Sequence, residues 1–292
     1  MFSNDFIDDF KKFILKVDYP KHCTFCEGLD LSIKEPKHHP SYEITTACNL
    51  NCIYCYSKVA VRNKTAPKEG YYGDLNPKAV TISQYGEPLL VGVDKVAKII
   101  ERLREIFGDV RIDLQTNGTI DFKDLDGLID IAMVSLDVAN PKSYRIVTGK
   151  NKFYDVLENV ENAVNMDCIL TVRSVFLPNF NDSELVNLSK ILGDIGVDEH
   201  FIQPCSVYNE CLNDLLSVGF DIERSNSLYD YLKVVYDCSE FVNVVIPGCI
   251  KVVLDEILKQ LDDLSDLKFV RRNSIAREPP KIRREWRFAV DV

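Results

Sequence analysis

Tyr42-Glu43-Ile44-Thr45-Thr46-Ala47-Cys48-Asn49-Leu50-Asn51-Cys52-Ile53-Tyr54-Cys55 is the stretch on which the fold turns. Tyr42–Thr46 is aromatic and β-branched, as a strand should be. Three cysteines spaced C-x3-C-x2-C follow it at once. Three thiolates on one short loop can hold three irons of a cubane and leave the fourth iron without a protein ligand. Such an open iron is a reactive position rather than a structural one. Zinc also suits soft tetrahedral ligation, but a structural zinc site wants a fourth protein ligand nearby, and the loop offers none.

Downstream of this loop the pattern alternates between strand and helix. Strand-like runs fall at residues 79–83, 110–114, 131–136, 169–176 and 200–203, with 242–246 as a further candidate. Helical periodicity falls at 93–106, 122–129, 154–164, 183–192, 227–236 and 252–264. A repeating βα order implies a parallel sheet with right-handed crossovers, here a partial (β/α)6 TIM-like barrel. The sequence divides into an extension at 1–40 with a short helix near 5–16, a barrel at 41–265 and a basic tail at 266–292.

The 292 residues carry 35 Lys+Arg against 45 Asp+Glu, a net charge of −10, which argues against a general nucleic-acid or anionic-membrane binder. No apolar run is long enough to span a bilayer, and residues 1–10 are acidic with no signal-like apolar core. A cytoplasmic location is therefore expected. Ten cysteines are conspicuous there, because a reducing compartment does not favour structural disulfides.

In a parallel α/β sheet, chemistry collects at the carboxyl ends of the strands. Beyond the cysteine loop, those ends carry Tyr85-Gly86-Glu87-Pro88, Thr116-Asn117-Gly118 and Ser135-Leu136-Asp137. Together these motifs resemble those of the radical SAM superfamily, whose signature is this cysteine spacing with an aromatic in the place of Tyr54. The likeness covers about residues 41–205. It implies a [4Fe–4S] cluster on Cys48, Cys52 and Cys55, with S-adenosylmethionine (SAM) chelating the open iron. One electron from a flavodoxin- or ferredoxin-like reductant would then cleave SAM to methionine and a 5′-deoxyadenosyl radical that abstracts hydrogen from a substrate. By the same resemblance Tyr54, Tyr85, Gly86, Glu87, Thr116, Asn117, Ser135 and Asp137 surround the cofactor. Tyr85 departs from the family pattern, which has glycine there. Arg173, a charge inside a strand-like run, needs an anionic partner, either the SAM carboxylate, a substrate acid or an internal Asp or Glu.

Cys23-Thr24-Phe25-Cys26 is a lone C-x-x-C in the extension. Cys205 and Cys211 follow the sixth strand-like run, so Cys23, Cys26, Cys205 and Cys211 are an expected ligand set for an auxiliary iron site. Cys238 and Cys249 are a second source of ligands, and Cys168 reads as a small core residue. None of His22, His38, His39 and His200 is assigned a catalytic role.

Three targets stay open. A peptide, protein or cofactor precursor fits the acidic body. RNA base modification fits a likeness of residues 83–88, 135–137 and 142–149 to the tRNA wybutosine-synthesising enzymes. The third reading is a metal-binding scaffold without turnover. The tail holds eight Lys/Arg against four acids, so it is +4 while the remainder is −14. It either grips RNA phosphates or packs across the acidic body, and the protein or small-molecule substrate is preferred to RNA.

Overall fold

The computed structural model describes residues 4–261 and 263–292. Nine strands form one sheet: β1 (Ser41–Glu43), β2 (Gly70–Tyr72), β3 (Ala79–Ile82), β4 (Arg111–Thr116), β5 (Ile131–Ser135), β6 (Ile169–Phe176), β7 (Glu199–Pro204), β8 (Val244–Val245) and β9 (Trp286–Phe288). Their spatial order is β8-β7-β6-β5-β4-β3-β1-β2-β9. From β1 through β3 to β8 every pairing is parallel, while β2 and β9 add antiparallel edges. This is the partial barrel that the βα alternation implies.

The helices are α1 (Asn4–Lys16), α2 (Tyr56–Arg62), α3 (Val93–Phe107), α4 (Pro141–Thr148), α5 (Phe153–Ala163), α6 (Asp182–Ile195), α7 (Asn209–Ser217), α8 (Ile222–Ser225), α9 (Leu228–Cys238) and α10 (Gly248–Gln260). Ile112 and Leu114 of β4, Ala132 and Val134 of β5, and Leu170 and Val172 of β6 pack together in the main apolar core. Strand alternation then turns Asp113 and Gln115, Met133 and Ser135, and Thr171 and Arg173 toward the other face, the barrel lumen. A second core joins α1 and α9 to β8 through Phe10, Ile14, Tyr231, Val235 and Val244.

Two helical expectations change. Residues 122–129 form only a 3-10 turn at Lys123–Leu125, because Asp126 leaves the helical path at ψ 135° and turns the chain with Gly127 at φ 72°. Phe122, Leu125 and Ile129 are still buried, so a turn satisfies the apolar spacing that suggested a helix. The helix expected at 252–264 instead starts at Gly248 and stops at Gln260.

Residues 17–40 and the tail are laid onto the barrel. Asp18 bridges Val245 of β8 in parallel, and β9 pairs with β2. The lower end of the lumen is filled by polar contacts to the extension. His22 Nδ1 lies 2.8 Å from Asp113, which also binds the Arg111 guanidinium at 2.8 Å. Lys21 N donates to Glu199 at 3.1 Å, and Thr171 donates to the same carboxylate at 2.9 Å. Burial would push Asp113 up, but the hydrogen bond from His22 and the charges of His22 and Arg111 hold it below the usual carboxylate range.

Candidate active site

Past β1 the chain runs through Ile44–Ala47 into the cysteine loop, and the loop after β3 clamps this approach. Glu87 N donates to Ala47 O at 2.8 Å. Gly86, at φ 70°, lies so close that a Cβ there would sit 2.2 Å from Thr45 O and 2.8 Å from Ala47 O. Only glycine meets both demands. The far side of the loop is tied to the end of α4, where Asn51 N donates to Thr148 O at 2.8 Å and Ile53 N to Val147 O at 3.0 Å. Cys55 is the N-cap residue of α2.

The sulfur environment suits a metal. Cys48 Sγ accepts from Leu50 N at 3.4 Å and from Asn117 Nδ2 at 3.5 Å. Burial pushes the Cys52 thiol well above its usual range, and charges at Cys55, Asp137 and Cys48 push it further. Three crowded thiolates are therefore costly by themselves, and a cationic cluster relieves that cost. Among the described residues no three His, Cys, Asp or Glu side chains already stand at metal-holding spacing, this loop included. The donor set fits a [4Fe–4S] cluster held by Cys48, Cys52 and Cys55.

The residues expected around SAM come together, though several are engaged with one another. Glu87 is fully buried and accepts from Leu89 N at 3.1 Å, Thr116 Oγ1 at 2.9 Å and Asn117 N at 2.6 Å. Its carboxylate thus positions the third motif. Burial pushes Glu87 up to about 7 in spite of those donors. Asn117 extends the network to Asn49 at 2.7 Å. Tyr54 donates its hydroxyl to Asp137, whose other oxygen accepts from Val175 N at 2.8 Å. The aromatic before the third cysteine is thereby fixed to the end of β5. Burial lifts Asp137 to about 6 against the pull of Tyr54, Val175 and Arg173.

Arg173 stands opposite Ser135 in register. Among the described residues it makes no salt bridge, and Gln115 Oε1 accepts from its guanidinium at 2.9 Å. A neutral amide orients the charge without cancelling it, so Arg173 can receive an anionic group in the lumen. Tyr85 is buried with its ring edge-on to Tyr56 at 5.1 Å, and its N–H donates to Glu43 at 3.0 Å. Glu43 also accepts from Gln84 N at 3.1 Å, and burial raises it to about 7. The extra side chain at Tyr85 therefore packs beneath the loop.

The sequence reading gives no role to Gln115, Asn49 or Tyr56. Gln115 was detectable in principle, since the polar residues Asp113 and Gln115 alternate with apolar ones in β4. Asn49 and Tyr56 carried no such pattern.

The four cysteines expected to share an auxiliary site fall into two groups. Cys205 and Cys211 are buried in the main apolar core, where Cys205 adjoins Arg272 and Cys211 adjoins Cys55 and Lys58. Cys23 and Cys26 instead have Cys249 for company. Apolar burial accounts for the first pair, and packing against the start of α10 accounts for the second group. His200 is a neutral core residue lying 2.8 Å from both Ser174 and Ser189, its pKa lowered to about 3 by burial.

Comparison with known proteins agrees with this geometry. The radical SAM superfamily model matches residues 42–192. An uncharacterized protein of Methanocaldococcus jannaschii is 38% identical over 97% of both chains. A GTP 3′,8-cyclase of Aquifex aeolicus is 28% identical over 176 residues, 55% of this chain and 54% of that enzyme. The chain thus spans about half the length of that characterised relative. Among solved structures, Streptococcus suis SuiB bound to SAM matches 71% of this chain and 46% of its own, at 13% identity and TM-score 0.48. TYW1 with a lysine-pyruvate adduct matches 65% and 70%, at 20% identity and TM-score 0.41. On the strength of its cysteine loop, its strand-end motifs and the matched family model, this chain belongs to the radical SAM superfamily and is an enzyme of that class.

Proposed function

We propose that the chain reductively cleaves SAM at a cluster held by Cys48, Cys52 and Cys55, and directs the resulting radical to an anionic cofactor precursor or peptide. When bound, the reduced cluster supplies the electron that breaks the sulfonium carbon–sulfur bond. The protein's own residues do the rest. Asn117 and the Leu50 N–H donate to the Cys48 sulfur, Tyr54 is fixed by Asp137, and Gly86 holds the loops together. The extension fills the lower lumen, which limits water and competing hydrogen donors near a radical.

The observation that supports an anionic substrate is Arg173, oriented by Gln115 and free of any salt bridge among the described residues. GTP, the substrate named for the cyclase relatives, belongs to that chemical class. RNA is disfavoured because the rest of the chain is −14 and three of the tail's eight Lys/Arg are held by the body. Arg284 pairs with Glu27 and Asp74 at 2.8 and 2.7 Å, Arg272 donates to Cys205 O at 3.1 Å, and Arg287 donates to Gly73 O at 3.0 Å. No helix among the described residues is long and apolar enough to cross a membrane.

Anaerobic reconstitution, with iron, sulfide and 5′-deoxyadenosine measured after reduction, tests the first part. Wild-type protein should release 5′-deoxyadenosine, and the Cys48→Ala/Cys52→Ala/Cys55→Ala variant should release none. Equal release from both would reject the reading. Candidate nucleotides, peptides and tRNA added in parallel test the second part. Stimulation of SAM cleavage by tRNA alone would transfer the assignment to RNA.

A further inference from the structure

Cys23, Cys26 and Cys249 come from the two ends of the chain and meet where the 3-10 turn Glu27–Leu29 packs on the start of α10. Two glycines make the meeting possible. A Cβ on Gly248 would lie 3.1 Å from Cys23 Cβ and 3.4 Å from Cys23 Sγ, and also 2.5 Å from Leu29. A Cβ on Gly28 would lie 3.3 Å from Cys249 Cβ and 3.7 Å from Cys26 Sγ. Neither glycine has a positive φ, so what their missing side chains supply is room between the cysteines.

The turn that presents Cys23 and Cys26 is unusual in the same direction. Cys26 N donates to Cys23 O at 2.9 Å, Thr24 has φ −57° and ψ 128°, and Phe25 has φ 74°. These are the angles of a type II turn, whose third residue is ordinarily glycine or asparagine. An exposed phenylalanine there is conformationally strained, tolerated while keeping both thiols on one turn. Burial pushes all three thiols up, and the nearby backbone N–H groups of Gly248, Gly28 and Ile250 work against that rise at Cys23, Cys26 and Cys249 in turn. Such donors favour the thiolate form and recur around thiolate-bound clusters.

We propose that Cys23, Cys26 and Cys249 bind a second iron–sulfur cluster, separate from the one on Cys48, Cys52 and Cys55. Among the described residues no fourth protein ligand accompanies the three thiols, and a cubane tolerates that where structural zinc ordinarily does not. Like the signature loop, these cysteines do not already stand at metal-holding spacing. The assignment does not depend on the proposed function, since it concerns different thiols and is read by metal content alone.

The test is iron, sulfide and zinc content of anaerobically reconstituted full-length protein, with circular dichroism to confirm folding. The wild type should hold twice the iron and sulfide of either triple variant, Cys48→Ala/Cys52→Ala/Cys55→Ala or Cys23→Ala/Cys26→Ala/Cys249→Ala. Cys249→Ser, a smaller change in case the triple variant fails to fold, should cause most of the same twofold loss, and Cys205→Ala should cause none. Complete loss of iron from the first triple variant would overturn the proposal. So would zinc in place of iron at the second site, or undiminished iron in Cys249→Ser.

Discussion

The two cysteine groups differ in how the chain assembles them. Cys48, Cys52 and Cys55 lie on one loop after β1, held by hydrogen bonds donated to α4 carbonyls and by the close pass of Gly86. Cys23 and Cys26 share one turn, but Cys249 joins them only by tertiary packing, with Gly28 and Gly248 as the gaps that let them approach. A ligand group within one loop is fixed by local backbone geometry and can be read from spacing. One built from both ends of a chain depends on the whole fold being in place. The first should therefore be sensitive to its own supporting loops, and the second to the docking of the extension on α10.

Gly86→Ala strikes the first group hardest. Its Cβ would collide with two backbone carbonyls at a left-handed φ, so the variant should lose about 3 kcal/mol or more of stability. Chemical denaturation measures the loss. Iron retained per folded chain should fall through the signature cluster, while metal at the second group persists. A variant as stable as wild type would show that the clamp between Gly86 and Thr45–Ala47 is not what holds the loop.

A smaller effect comes from Glu43 beneath the same loop. Burial raises its folded pKa from the ordinary 4.5 to about 7, so the folded state binds more protons than the unfolded state between those values. Stability should then fall as pH rises through that window, on the order of 2–3 kcal/mol from this group. Glu87 contributes in the same sense. Denaturation midpoints from pH 4.5 to pH 8 should show a shallower decline in Glu43→Gln than in wild type. An unchanged slope would mean that the N–H donors of Gln84 and Tyr85 keep the carboxylate ionised.

The smallest change sharpens the picture of the second group. Phe25→Gly removes the left-handed strain but also the cation–π contact with Arg111, whose guanidinium lies 5.7 Å from the ring. A net gain of about 0.5 kcal/mol in stability is expected. A loss of more than about 1 kcal/mol would show that the Phe25 contact with Arg111 outweighs the strain.

Much of the upper site was legible because its motifs sit at strand ends and its cysteines are neighbours. The parallel βα order placed Gly86, Asn117 and Asp137 at one edge before any contact was known. The internal engagement of Glu87 was not legible, because a carboxylate facing SAM and one satisfied by backbone N–H groups look identical in sequence. Cys249 was named only as a spare ligand, since no local pattern links Pro247-Gly248-Cys249 to a turn at the other end of the chain. The helix expected at 122–129 failed for the opposite reason, an apolar period satisfied by a short turn that Asp126 and Gly127 redirect. Strands β2 and β9 were unanticipated because three-residue pairings leave almost no periodicity to read.

Electron paramagnetic resonance of the reduced protein, with and without SAM, tests most directly which group is the SAM-binding centre. The Cys23→Ala/Cys26→Ala/Cys249→Ala variant should keep a cluster signal that shifts on adding SAM, because the signature loop and its open iron are intact. The Cys48→Ala/Cys52→Ala/Cys55→Ala variant should keep a signal that SAM leaves unmoved. A SAM-dependent shift in the latter would contradict the assignment of the active centre to Cys48, Cys52 and Cys55.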